Sequence, residues 1–185
     1  TQAMDDAAGD GHLPVVEWLH RNRSEGCTRE AMDGAATYGH LSVVEWLHTH
    51  RSEGCHMFSV DEAAQGGHAS VVEWLLINRS EGCTSNAMDK AAGNGHLSLV
   101  EWLHTHRTEG CTTKAMDAAA GRGFLSVVEW LHANRSEGCS DYALESAERY
   151  GLRSMWEWLL DRQQMQGRRV SMRLREQTWV ENHKL

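Results

Sequence analysis

The feature that most constrains this 185-residue chain is a period. Arg-Ser-Glu-Gly-Cys stands at 23–27 and returns at 51–55, 79–83 and 135–139, with Arg-Thr-Glu-Gly-Cys at 107–111. Successive copies start 28 residues apart, and residues 31–58 (AMDGAATYGHLSVVEWLHTHRSEGCHMF) match 87–114 (AMDKAAGNGHLSLVEWLHTHRTEGCTTK) almost letter for letter. Six units begin at Ala3, Ala31, Ser59, Ala87, Ala115 and Ala143, with no insertions. A period of this length denotes a stack in which each unit touches only its neighbours.

Each unit divides at its glycines into two short helical segments. In the second unit the first segment runs from Thr28, whose hydroxyl suits a helix N-cap, to a stop at Gly39. Ala31, Met32, Ala35 and Ala36 give it one narrow apolar face, small enough for a neighbouring helix to come close. The second segment carries Val43, Val44 and Leu47 as an inward stripe, with Trp46 and His48 on its flanks and Glu45 pointing away. The chain's one proline, Pro14, falls in the first turn of such a segment, where a missing N–H costs nothing. Two helices of about ten residues cannot bury a face alone. Stacking must supply the core, and an all-α solenoid follows.

Charge and composition narrow the function. A net charge of -8 argues against a protein that binds nucleic acid by neutralising phosphates. No stretch approaches the roughly 18 consecutive apolar residues of a membrane span, so membrane insertion is not expected. The chain opens in mid-repeat without methionine and lacks the charged-then-apolar pattern of a secretion signal, so a piece of a longer protein is expected. Its five cysteines share one register. Neighbouring repeats stand roughly 10 Å apart, beyond the ~7 Å Cα separation that a disulfide bridges. Reduced thiols in the cytoplasm are the expectation.

The string AAxxGHLxVVxWL, present as AATYGHLSVVEWL at 35–47 and AAGNGHLSLVEWL at 91–103, resembles the central signature of ankyrin repeats, over about residues 1–167. The family's usual unit has about 33 residues and opens with Thr-Pro-Leu-His; here it has 28 and opens with x-Ala-Met-Asp. The units are similar to the trimmed ankyrin repeats found in long arrays in oomycetes, amoebae and their large viruses. The resemblance implies helix–turn–helix stacking with shortened or absent β-hairpin fingers. It also implies a concave face lined by first helices, and a scaffold or adaptor role toward a protein or peptide partner, without a cofactor, as a monomer or in a larger complex. Two other readings stand beside it: a metal- or redox-active Cys/His array, and the substrate-recognition part of a larger enzyme.

Features that recur from unit to unit read as scaffold, although the last unit keeps the hydrophobic skeleton and loses RSEGC. Cys27, Cys55, Cys83, Cys111 and Cys139 suit packing at the repeat junction, and no CxxC spacing supports zinc. His12, His40, His68 and His96 share a register with Phe124 and Leu152; His20, His48, His104 and His132 share one with Leu76 and Leu160. Both registers read as packing, whereas His50 and His106 read as exposed. Trp18, Trp46, Trp74, Trp102, Trp130 and Trp158 form a ladder suited to inter-repeat contact. An acid opens each first helix (Asp5, Asp33, Asp61, Asp89, Asp117, Glu145), where it favours the helix dipole and can bond the neighbouring repeat's backbone. Arg23, Arg51, Arg79, Arg107 and Arg135 can pair with these acids, or with Glu25 and its counterparts, along the stack.

Binding positions should instead differ between units. The middle of the first helix carries Asp6, Glu62 and Lys90; its end carries Asp10, Tyr38, Asn94, Arg122 and Tyr150; the residues leading into it include Arg29, Glu30, Met57, Phe58, Lys114 and Tyr142. These are the candidate partner-binding residues, with no catalytic or metal site expected. Residues 168–185 form a basic tail on an acidic body, read as a C-terminal cap through Val170, Leu174 and Trp179, or as a docking peptide.

Overall fold

The computed structural model describes residues 1–165. The end of the array at 167 and the 168–185 tail lie outside the described residues. Twelve helices run in six pairs among them: α1 Gln2–Gly9, α2 Leu13–Asn22, α3 Arg29–Thr37, α4 Leu41–His50, α5 Phe58–Gln65, α6 Ala69–Asn78, α7 Ser85–Gly93, α8 Leu97–His106, α9 Thr113–Gly121, α10 Leu125–Asn134, α11 Asp141–Arg149 and α12 Arg153–Met165. No strand occurs among the described residues, so the segment that could have projected a finger is only the extended arginine and the glycine turn of each RSEGC.

Local chemistry sets the helix ends as the sequence predicts. Thr28 caps α3 by accepting the Glu30 N–H at 3.1 Å, and Thr84, Thr112 and Ser140 repeat the motif on α7, α9 and α11. Pro14 stands in the first turn of α2. Gly39, just past α3, adopts φ +81, and the matching turn glycines do the same. The left-handed conformation costs an L-residue about 1–2 kcal/mol and glycine very little.

The core lies between the two helix layers. Val43, Val44 and Leu47 of α4 and their counterparts in α6, α8 and α10 are fully or almost fully buried against the alanines of the first helices. Each such aliphatic side chain contributes roughly 1.5–3 kcal/mol. First helices stack closely, α1 on α3 and so along to α11, while second helices touch one another much less. Side-chain size explains this, since helix spacing follows the residues at the contact. A Cβ placed on Gly34 would stand 3.0 Å from the Gly9 Cα, and one on Gly93 2.9 Å from the Ala118 Cβ. Second helices face one another with tryptophan and histidine instead.

RSEGC is the joint between units. Arg51, Arg79, Arg107 and Arg135 each clamp the glutamate two residues on, Glu53, Glu81, Glu109 and Glu137. Those guanidinium hydrogen bonds hold the four carboxyls below the usual glutamate range, against burial, which pushes them up. The acid partner is thus within the same loop. What the arginine reaches along the stack is the preceding unit: Arg51 packs over Gly26 and beside Cys27, and Arg79 stands 3.1 Å from His48 Nδ1.

The register acids also work between units. Asp89 Oδ1 accepts the Thr112 N–H at 2.7 Å and Oδ2 accepts the Thr112 hydroxyl at 2.6 Å; Asp5, Asp61 and Asp117 do the same for Thr28, Thr84 and Ser140. Asp33, Asp89 and Asp117 sit one turn into their own helices rather than in the first turn. Their charge therefore caps the start of the next unit, and the helix-dipole expectation is corrected for these three and for Glu145, which likewise stands one turn into α11. Unit three varies the pattern: His56 replaces the threonine, donates its N–H to Asp33 Oδ1 at 2.8 Å and sets Nδ1 2.5 Å from Oδ2.

Aromatic registers complete the joint. His40, His68 and His96 pack on the turn glycine of the preceding unit, followed by Phe124 and Leu152 in the same role. Burial between His40 and His96 pulls the His68 pKa down, which suits a neutral packing ring. His20, His48, His104 and His132 each meet the next unit's tryptophan edge-on, at centroid distances of 5.0–5.2 Å. His50 and His106 are exposed as expected, yet each stacks on the tryptophan one turn earlier at 4.3 Å.

Cys27, Cys55, Cys83 and Cys111 are buried at the junction. Burial, reinforced by the neighbouring glutamates, raises these thiols, to about 11 at Cys55, Cys83 and Cys111. A raised pKa means almost no thiolate near neutrality, which is the opposite of a redox-active cysteine. Among the described residues no group of three His, Cys, Asp or Glu side chains could hold a metal ion. Iodoacetamide at pH 8 is expected to label Cys139, which is only half-buried, first, with the other four reacting only on unfolding. Peptide mass spectrometry over a labelling time course checks this; uniform rapid labelling would refute the buried-thiol assignment.

Candidate interaction surface

The residues that differ between units emerge along the first-helix side, and the structure sorts them into groups. At the N-terminal end, Asp6, Asp10, Glu30 and Tyr38 surround an open groove of about 640 Å³ between α1 and α3, floored by Gly9 and Gly34. Gln2 holds Asp6 through its side-chain amide at 2.7 Å, and Tyr38 is 65 % exposed, so its ring is available for contact. Asp5 also lines the groove, but both its oxygens are taken up by Thr28. Arg29 turns away and donates to the Glu53 carbonyl at 3.1 Å, binding the stack together instead of joining this group.

In the middle, Glu62 and Lys90 form an ion pair at 2.5 Å across α5 and α7. Each partner neutralises the other. Ahead of this pair, Met57 and Phe58 are both about half exposed where the chain enters α5, and Phe58 stacks on His56 at 4.9 Å.

At the C-terminal end, Lys114, Arg122, Tyr142 and Tyr150 line a second open groove of about 490 Å³ between α9 and α11, over Ala118 and Gly121. Arg122 donates to the Gly93 carbonyl at 2.7 Å and to Asn94 Oδ1 at 2.8 Å. Asn94 thus serves to anchor that guanidinium, whose partners are neutral and leave its charge uncompensated. Asp117 lines the groove too, with both oxygens occupied by Ser140.

Residues that differ between units stand at the walls of both grooves, and Gly34 and Ala118, which differ as well, stand at the floors beside Gly9 and Gly121, which the comparison did not single out. Gly9 meets Gly34, Gly93 meets Ala118, and Gly121 lies 3.2 Å, measured from an added Cβ, from Ser146 Cβ. The available signal was a small residue near the end of one first helix followed by another small residue in the middle of the next. Where that pairing fails, at Glu62 and Lys90, an ion pair fills the space. His56 was missed as well; its place in a threonine register marked unit three as different.

No helix among the described residues is long and apolar enough to cross a membrane. No curated protein sequence matches the chain significantly. Among solved structures, the crystal structure of the human ASB11 ankyrin repeat domain superposes with a TM-score of 0.66 at 18 % identity, covering 85 % of this chain and 82 % of that one. At that identity the likeness shows the fold. The family profile described as ankyrin repeats (many copies) matches residues 4–48 and 55–104, just over half of the chain. With paired helices on a 28-residue period and a shared fold, the chain belongs to the ankyrin repeat family.

Proposed function

We propose that this array is a non-catalytic protein-interaction scaffold that presents its concave first-helix face to a protein or peptide partner. Ankyrin repeats are in general protein–protein interaction modules. One observation carries the more specific reading. The aliphatic residues common to the units are turned into the stack, whereas Tyr38, Phe58, Tyr142 and Tyr150, which are not common to them, lie about half to two-thirds exposed on one side. Large aromatic side chains of this kind anchor interfaces, and those exposed in a monomer become the buried centre of a complex. With no projecting finger among the described residues, recognition concentrates on first helices and their leading residues.

Affinity capture with the array, quantified by mass spectrometry, tests this. Tyr38→Ala, Phe58→Ala and Tyr142→Ala are each expected to weaken partner recovery, by about tenfold where the ring sits at the interface centre, with no loss of helix content. A partner recovered equally by all three variants would sink the proposal.

A further inference from the structure

The two grooves of the first-helix face carry opposite charge. Asp6, Asp10 and Glu30 give the α1–α3 groove three carboxylates and no lining cation. Lys114 and Arg122 give the α9–α11 groove two cations, and its one lining acid, Asp117, is engaged with Ser140. Between them the Glu62–Lys90 pair cancels its own charge. Each groove also has an exposed tyrosine, Tyr38 at one end and Tyr142 with Tyr150 at the other. Beside the floor of the cationic groove, Ser146 is 1 % exposed and its buried hydroxyl has no hydrogen-bond partner, 3.6 Å from where a Gly121 Cβ would stand.

Resting on the scaffold reading above, we propose that the face is a charge-split cradle whose occupant is one segment of a partner protein, with acidic side chains in the α9–α11 groove and basic side chains in the α1–α3 groove. Complementary potentials fix register and exclude wrong partners more than they add raw affinity. A uniformly basic or uniformly acidic segment satisfies one groove and is repelled by the other; nucleic acid, anionic throughout, is rejected by the α1–α3 end. The grooves lie four repeats apart, about 40 Å at roughly 10 Å per stacked helix. An extended segment rising ~3.3 Å per residue spans that in about 12 residues.

Two fluorescein-labelled peptides of identical composition test this in fluorescence polarisation at low ionic strength. One has a Lys₄ block and a Glu₄ block separated by a neutral Gly-Ser spacer of about ten residues; the other interleaves the same lysines and glutamates. The split peptide is expected to bind at least fivefold more tightly. K114E/R122E should weaken it about tenfold, as should D6K/D10K. The combined four-fold variant, whose net charge equals that of the starting protein, should restore binding, because the peptide can turn round. Since Arg122 also bonds Gly93 and Asn94, Lys114→Glu alone, at an exposed side chain, serves as a second variant and should weaken binding in the same direction. Circular dichroism checks each fold. Equal binding of both peptides, absence of binding by the split peptide at millimolar concentration, or failure of the four-fold variant to recover overturns the charge-split cradle. Amide chemical shifts separate that failure from a failure of the scaffold reading: shifts confined to second helices would place binding away from the first-helix face altogether.

Discussion

Asp89→Ala is expected to lower the unfolding free energy by about 3–4 kcal/mol, the largest effect of any single side-chain truncation considered. The carboxylate is 6 % exposed and accepts both the backbone N–H and the hydroxyl of Thr112. Hydrogen bonds to a charged group are worth roughly 1.5–3 kcal/mol, and their loss leaves a partly buried N–H without an acceptor. The damage extends further, because Thr112 in turn caps α9 by accepting the Lys114 N–H at 3.2 Å. With its hydroxyl no longer oriented by Asp89, that cap weakens by a further fraction of the ~1 kcal/mol typical of N-caps. Asp89→Asn keeps one acceptor oxygen and should lose about half as much. The boundary between the fourth and fifth units then becomes the weakest interface of a nearly one-dimensional system, so urea unfolding should broaden or split. An Asp89→Ala protein as stable as the parent would show that stacking of the apolar faces alone couples the units.

Gly95→Ala should cost about 2–3 kcal/mol for two separable reasons. At φ +80 the residue is left-handed, which penalises any Cβ by about 1–2 kcal/mol. The added methyl would also stand 2.7 Å from Phe124 Cδ1 and Cε1, forcing a ring packed between units to shift; overpacking of this kind costs roughly 1–3 kcal/mol. Gly82 supplies the control. Its φ is +74, but an added Cβ meets nothing within 4 Å, so Gly82→Ala should lose only the backbone part. Gly123, whose Cβ would stand 3.3 Å from Leu152 Cδ2, should fall between the two. Denaturant midpoints for the three variants, taken with their slopes, check the ranking. If Gly82→Ala and Gly95→Ala lose equal stability, the phenyl ring does not confine the turn.

The same residues show where the sequence was legible. Thr28, Pro14 and Gly39 gave the helix boundaries because capping, a missing donor and positive φ are decided within a few residues of backbone. The packing registers of histidine and tryptophan were legible from substitution inside the chain: a position that accepts His, Phe and Leu is a position that packs. Partner choice among charges was less so. For Asp33, Asp89 and Asp117 the sequence offered two roles, their own helix's dipole and the neighbouring repeat's backbone, and the placement of the next unit selects the second. Arg51 pairs inside its own loop and reaches back to Cys27, a division that spacing along the chain cannot reveal. Glu62, Lys90 and Asn94 looked free to meet a partner, yet in the stack Glu62 and Lys90 pair with each other and Asn94 anchors Arg122.

From its sequence alone this chain was bound to be a stack of two-helix units with fingers shortened or absent, because a 28-residue period with fixed caps and stops leaves only about six residues between one pair and the next. Its two grooves and their opposite charges were decided by the tertiary structure. They depend on which side chain of one unit stands against which of the next, and on whether glycine meets glycine or glutamate meets lysine across a gap of 28 residues. Such contacts join residues that no local pattern connects.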